Sequence, residues 1–165
     1  MTKKTICCIS DTHTYHHNLL IKPCDFIVHA GDFTSYGRMK EVIDFLDWYS
    51  KVPAEFKILI CGNHEVEIGE FIPLLTAMCK ERGITYMHNE AIDLGGVSFF
   101  GSPNSPPFGQ GWAFNSVEKR LALIYDSIPT HTQVLITHGP PHAILDCTLD
   151  GDNAGSVALY NRLKA

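Results

Sequence analysis

A chain of 165 residues is long enough for one domain with a sizeable core. Hydrophobic residues make up 45% and charged residues 19%, the balance of a globular protein and not of a disordered or membrane-spanning one. The net charge of -5 offers no footprint for a long nucleic acid, and Asp11 cuts short the apolar run within residues 1–10 that a secretory leader needs, so a cytoplasmic protein without membrane contact is expected.

Residues 5–10 and 25–30 are apolar runs too short for surface helices, and both read as strands. Between residues 35 and 51, Val42, Ile43, Leu46 and Tyr49 share one helical face. Thr34 or Ser35 is placed to cap that helix, and Pro53 lies just past its end. Residues 56–61 form the third predicted strand. A helix over about 70–82 follows, with Pro73 in its first turn and Gly83 as its stop. Residues 84–87 and 97–101 read as short strands, the latter preceded by a Gly95-Gly96 turn. Three prolines and two glycines make 102–111 a shaped loop. Asn115 and Glu118 have capping-box spacing ahead of Leu121, Ala122 and Tyr125. Residues 134–137 are a buried strand, and an amphipathic helix runs from 155 to the end. Alternating strands and helices give an α/β chain. With no repeat or linker, residues 1–165 are expected to be a single domain. Cys7, Cys8, Cys24, Cys61, Cys79 and Cys147 show no paired spacing, so reduced thiols in the core of a cytosolic protein are expected.

Four polar clusters each follow a strand: Asp11-Thr12-His13, Gly31-Asp32, Gly62-Asn63-His64-Glu65 and His138-Gly139. Open α/β sheets hold their ligands at strand ends. Asp, Asn and His supply the oxygens and imidazole nitrogens that suit Mn, Fe, Zn or Mg. Phosphate esters resist attack because their oxygens are anionic. Two cations about 3.5–4 Å apart neutralise those oxygens and acidify a bridging water. Asp11 and His13, at alternate positions of one loop, are set to face one cation. Asp32, freed by the small Gly31, is the natural shared carboxylate. Asn63 and His138 would serve the second cation. His64, beside a ligand, is the candidate to protonate the leaving oxygen or stabilise the transition state. Glu65 is assigned to loop support. His142 is a pocket-mouth residue or a substitute ligand, while His16 and His17 are solvated loop residues or phosphate contacts. His29 is expected to be buried and hydrogen-bonded, and His88 and His131 have no partner motif. Trp112 and Phe114 either stack on a nucleobase or plug the space between sheets. No other substrate-binding residue is marked.

Ser10-Asp11-Thr12-His13, His29-Ala30-Gly31-Asp32, Gly62-Asn63-His64-Glu65 and Thr137-His138-Gly139-Pro140-Pro141 together resemble the successive motifs of calcineurin-like metallophosphoesterases. Gly101-Ser102-Pro103, Pro106, Trp112-Ala113-Phe114-Asn115 and Gly155-Ser156 resemble, more narrowly, the metallophosphoesterase-domain-containing subgroup. Protein serine/threonine phosphatases are less similar, since their Asp-Arg-Gly and the Arg before Gly-Asn-His-Glu are replaced here. The resemblance implies a four-layer αββα sandwich and two divalent ions, manganese first and Fe, Zn or Mg as substitutes. It also implies hydrolysis of small phosphodiesters, cyclic nucleotides among them, by a metal-bridging hydroxide. The family pattern closes on a further strand and a Gly-His-x-His loop, and this sequence reaches Ala165 before either. The resemblance then implies a C-terminally truncated sandwich whose metals keep three protein ligands each, completed by water. Either the sheet edge is left exposed in a shortened product, or a second copy in a homo-oligomer covers it. The alternatives to a working hydrolase are a non-catalytic interaction module of the same fold and a truncated, impaired enzyme.

Overall fold

Alternation of side chains along short strands sorts this chain into layers. In a computed structural model, which describes residues 3–165, four parallel strands form one sheet in chain order: β1 (Ile6–Ile9), β2 (Cys24–Ala30), β3 (Ala54–Ile60) and β4 (Ile84–Tyr86). A second sheet holds β5 (Glu90–Leu94), β6 (Val97–Ser102) and β7 (Val134–Thr137), with β5 antiparallel and β7 parallel to β6. Phe26 and Val28 of β2, Ile58 and Ile60 of β3, Phe99 of β6 and Ile136 of β7 meet between the sheets. Their neighbours Ile27 and Leu59 point the other way, because successive strand residues face opposite sides. There they pack against α1 (Met39–Tyr49), α2 (Val66–Gly69) and α3 (Ile72–Glu81). On the far side Phe100 packs with α4 (Glu118–Asp126) and α5 (Val157–Lys164) through Leu121, Tyr125 and Leu159. The result is an αββα sandwich. Among the described residues, no helix is long and apolar enough to cross a membrane.

Several local expectations yield to tertiary contacts. On α1 the buried face is Val42, Phe45, Leu46 and Tyr49. Ile43, about 100° round from Val42, is 40% exposed. Neither Thr34 nor Ser35 caps this helix. The Glu41 carboxylate accepts the Tyr36 and Arg38 amides instead, while Thr34 is drawn toward Glu65. Asn115 does not cap α4 either, because its side chain accepts from Ser105 and donates to the Phe108 carbonyl. Glu118 crosses to α5, where it accepts from the Ser156 hydroxyl and the Val157 and Ala158 amides. Residues 70–71 precede the second long helix, and α2 forms just before it. β5 was not expected. Its hairpin with β6 turns on Gly95 and Gly96, whose φ values of 58° and 79° fit a two-residue turn of the kind that needs glycine. Cys61 and Cys79 fill core space, whereas Cys8 and Cys147 are exposed.

His29, near the end of β2, is fully buried against Phe45 and Tyr49 and shares a 3.0 Å hydrogen bond with the Thr12 hydroxyl. Burial pushes its pKa down from 6.5 to about 3, with the nearby His16 adding to the effect. Between those two values the unfolded chain binds a proton at His29 that the folded chain does not. Stability from this group is therefore intact above pH 6.5 and is lost as the pH falls through the window. Tm measured from pH 7 to pH 5 is expected to fall more steeply in the native protein than in a His29→Gln variant. Parallel curves would contradict the assignment.

Candidate metal centre

The parallel strands β1, β2 and β3 end on one edge, and the loops after them are stitched together beyond the sheet. Asp11 N–H donates to the Gly31 carbonyl (3.0 Å), His13 N–H to the Asp32 carbonyl (3.0 Å) and Thr14 N–H to the Phe33 carbonyl (3.1 Å). These bonds hold Asp11, His13 and Asp32 at φ of 53°, 41° and 58°, a left-handed region that non-glycine residues rarely enter. Gly31 and Gly62 supply the close approach. A Cβ on Gly31 would lie 2.7 Å from the Cys61 carbonyl oxygen and from His138 Nδ1, and one on Gly62 would meet His138 Cε1 at 2.6 Å and collide with Asp32 Oδ1.

Glu65 is the clamp between the second and third loops. Its buried carboxylate accepts from the amides of Asp32 (2.9 Å), Thr34 (2.9 Å) and Gly62 (2.6 Å) and from the Thr34 hydroxyl (2.8 Å). Burial pushes this carboxyl up to about 8, while the donors on Gly62 and Thr34 pull against it. Its role is to support the loop, and it offers no free oxygen to a ligand.

Asp32 sits at the centre and is only 3% exposed. Its Oδ1 accepts the His64 amide at 2.8 Å. Three imidazole Nε2 atoms face the same carboxylate: His138 at 3.4 Å, His13 at 3.8 Å and His64 at 4.0 Å. Each ring has its Nδ1 against a backbone carbonyl, His13 on Thr34 (3.2 Å), His64 on Ser35 (2.8 Å) and His138 on Ala30 (2.9 Å). A carbonyl only accepts, so Nδ1 carries the proton and Nε2 of a neutral ring presents a bare lone pair. His138 Nε2 is also 2.9 Å from Asn63 Oδ1, a second acceptor. Lone pairs thus converge on a nearly buried carboxylate. Among the described residues, no lysine or arginine lies in ion-pair range of Asp32. A buried anion without a counter-charge is strongly unfavourable. Divalent cations fit this donor set, and the carbonyl-bonded Nδ1 atoms are the usual means of orienting metal-binding histidines.

The side chains fall into two groups that share Asp32. Asp11, Asp32 and His138 bring ligand atoms within 4.8 Å of one another, and so do His13, Asp32 and His64. Asn63 joins the first group through its contact with His138. Asp11 and His13 therefore fall in different groups, whereas the sequence sets both to face one cation. Both positions take left-handed φ, with Thr12 between them tied back to His29. His64 stacks obliquely on Trp112 and meets His13 edge-on, with ring centroids 4.4 Å apart in both cases. The Ala113 amide donates to the Asn63 carbonyl, tying the Trp112 loop to the centre. Phe114 packs into the core beneath α2 and α3, so of the two aromatics only Trp112 touches a site residue. His142 faces Asp146 at 3.8 Å and joins neither group. His16 is buried and not solvated. Two clefts flank the cluster. One of about 470 Å³ is lined by Asp11, His13, Tyr15, Asn18 and Leu19, and the other, about 180 Å³, by Asn63, Ser105, Pro106, Phe108 and His138.

The family model described as calcineurin-like phosphoesterase matches residues 4–164. A UPF0046 protein of Caenorhabditis elegans is 35% identical over 153 residues, covering 86% of this chain and 52% of its own length. Human metallophosphoesterase domain-containing protein 1 is 32% identical over 162 residues, covering 84% of this chain and 49% of its own. The chain thus spans about half the length of the curated relatives it matches. Among solved structures, TT1561 of Thermus thermophilus superposes with a TM-score of 0.61 at 13% identity, over 99% of this chain and 77% of that one.

The Glu65 clamp makes a stability prediction. Glu65→Gln turns an amide N–H₂ toward amide donors, and each unsatisfied buried donor costs about 1–3 kcal/mol. Urea unfolding is expected to show a loss of several kcal/mol, on the order of 2–4, against almost none for Glu55→Gln on the exposed part of β3. Equal stability of the two variants would remove Glu65 from this role.

Proposed function

Because the chain belongs to the calcineurin-like phosphoesterase family, we propose that it is a dinuclear metal-dependent phosphodiesterase acting on small phosphodiesters. The observation that carries this reading is Asp32, a carboxylate common to two ligand groups and faced by three Nε2 lone pairs. Asp11, His13, Asp32, Asn63 and His138 would hold two divalent ions, with manganese suited to the mixed oxygen and imidazole set. Such ions, when bound, neutralise phosphate oxygens and acidify a water molecule.

The protein's own groups do the rest. Backbone bonds to Nδ1 keep His13 and His138 pointing inward. His64 turns Nε2 to the cluster and has Nδ1 fixed on the Ser35 carbonyl. In the imidazolium form it can give the Nε2 proton to the departing alkoxide as the phosphorus–oxygen bond breaks. Trp112 against its ring limits its rotation and excludes water from one face. Two clefts, one beside Asp11 and His13 and one beside Asn63 and His138, support a diester over a monoester, since a diester phosphate carries one arm for each. Cyclic nucleotides are of a size for the larger cleft. The net charge of -5 argues against long nucleic acids. Six free thiols support a reducing compartment, and we assign the activity to the cytoplasm.

Hydrolysis of bis-p-nitrophenyl phosphate by manganese-loaded protein tests this reading. Turnover above that of p-nitrophenyl phosphate is expected, with His64→Ala lowering kcat by about 100-fold or more and Asp32→Asn abolishing manganese-dependent turnover. Manganese-loaded protein that cleaves neither ester would point to an interaction module. Activity unaffected by both substitutions would refute the residue roles.

A further inference from the structure

Beyond the Asp11–His13 loop the chain makes a single 3-10 turn, His16–Asn18. The sequence leaves His16 and His17 as solvated loop residues or phosphate contacts, but His16 folds beneath the turn with no exposed surface. Its ring meets Phe45 edge-on at 5.3 Å and leans on Trp48 at 5.0 Å, both residues of α1. Among the described residues neither of its ring nitrogens makes a hydrogen bond, although Nε2 faces the Asp44 carboxylate in ion-pair range. A polar ring enclosed by aromatics without a partner is an exception that needs a cause.

The cause lies on the solvent side of the ring. His16 Nε2 is 3.3 Å from Asp44 Oδ2, and His17 Nε2 is 3.2 Å from the same oxygen. The ligand atoms of all three side chains lie within 4.8 Å of one another. His17 and Asp44 are 58% and 55% exposed, so an ion can enter from solvent while His16 forms the floor. Zinc bonds to imidazole nitrogen and carboxylate oxygen at about 2.0–2.1 Å, and a tetrahedron of that size has edges of about 3.3 Å. The separations of both Nε2 atoms from Asp44 Oδ2, 3.3 and 3.2 Å, match those edges. A square-planar ion of similar bond length would require adjacent ligands about 2.9 Å apart.

We propose that His16, His17 and Asp44 form a second metal site, separate from the Asp32 cluster and suited to a tetrahedral divalent ion such as zinc with water as fourth ligand. An ion there would join the 3-10 turn to α1 and brace the loop that carries Asp11 and His13. It would also satisfy the orphaned Nε2 of His16.

The test is the amount of zinc retained by the full chain after metal loading and dialysis, measured with the fold checked by circular dichroism. His17→Ala and Asp44→Ala are exposed positions outside the Asp32 cluster. Each is expected to retain about one equivalent less zinc than the native protein. In an Asp32→Asn, His138→Ala background, cobalt is expected to give the intense visible bands of a tetrahedral site, and adding His17→Ala should abolish them. This second arm reads the new site even if the proposed phosphodiesterase activity fails. Unchanged zinc content in both exposed variants, or cobalt bands that survive His17→Ala, would overturn the proposal.

Discussion

A carboxylate held almost out of water, with imidazole lone pairs turned toward it, sets the terms for the structure around it. A buried carboxylate is favoured by positive charge close by, and the neighbours of Asp32 within ion-pair range are histidines whose protons are committed at Nδ1. The surrounding backbone accepts strain to maintain this arrangement. Three residues of the centre adopt left-handed φ, two glycines allow loops to touch, and Glu65 gathers three amides that would otherwise be orphaned. Such a cluster is unfavourable by itself and makes sense as the pre-organised half of a complex with cations.

The sandwich supplies the rigidity that this requires. Parity along β2 sends Phe26 and Val28 to the inter-sheet layer and Ile27 and His29 to the helices, so the register of Asp32 is fixed by burial on both faces. β3 is fixed in the same way through Ile58, Leu59 and Ile60. The Tyr49 hydroxyl reaches from α1 to the carbonyls of Ile27 and Ile58, tying helix, β2 and β3 together behind the site. His138 arrives from the other sheet. Its position depends on β7 pairing with β6 and on its Nδ1 bond to Ala30.

How much of this was legible in the sequence follows from what each signal depends on. The central strands were visible because continuous apolar runs have few other uses, and the ligand types were visible because each cluster follows such a run. Local capping signals failed where a long-range partner was stronger: Thr34 serves Glu65, and Glu118 serves α5. β5 carries charges at Glu90 and Asp93 that mask its alternation, although the Gly95-Gly96 turn was a usable sign of a hairpin. Ile43 is apolar but sits at the margin of the helix face formed by Val42, Phe45, Leu46 and Tyr49, so its side chain stays partly in solvent. The burial of His16 and its meeting with Asp44 had no sequence signal, since α1 must first pack beside the turn. The division into two groups sharing Asp32 was legible, but the grouping of Asp11 with His138 and of His13 with His64 was hidden, because it depends on backbone torsions at Asp11 and His13.

Anomalous diffraction from manganese-loaded crystals addresses the role of Asp32 most directly. Two manganese peaks are expected, each in contact with an Asp32 oxygen and with at least one histidine Nε2. Loaded crystals in which the Glu65 clamp is intact but no manganese touches Asp32 would contradict a shared carboxylate.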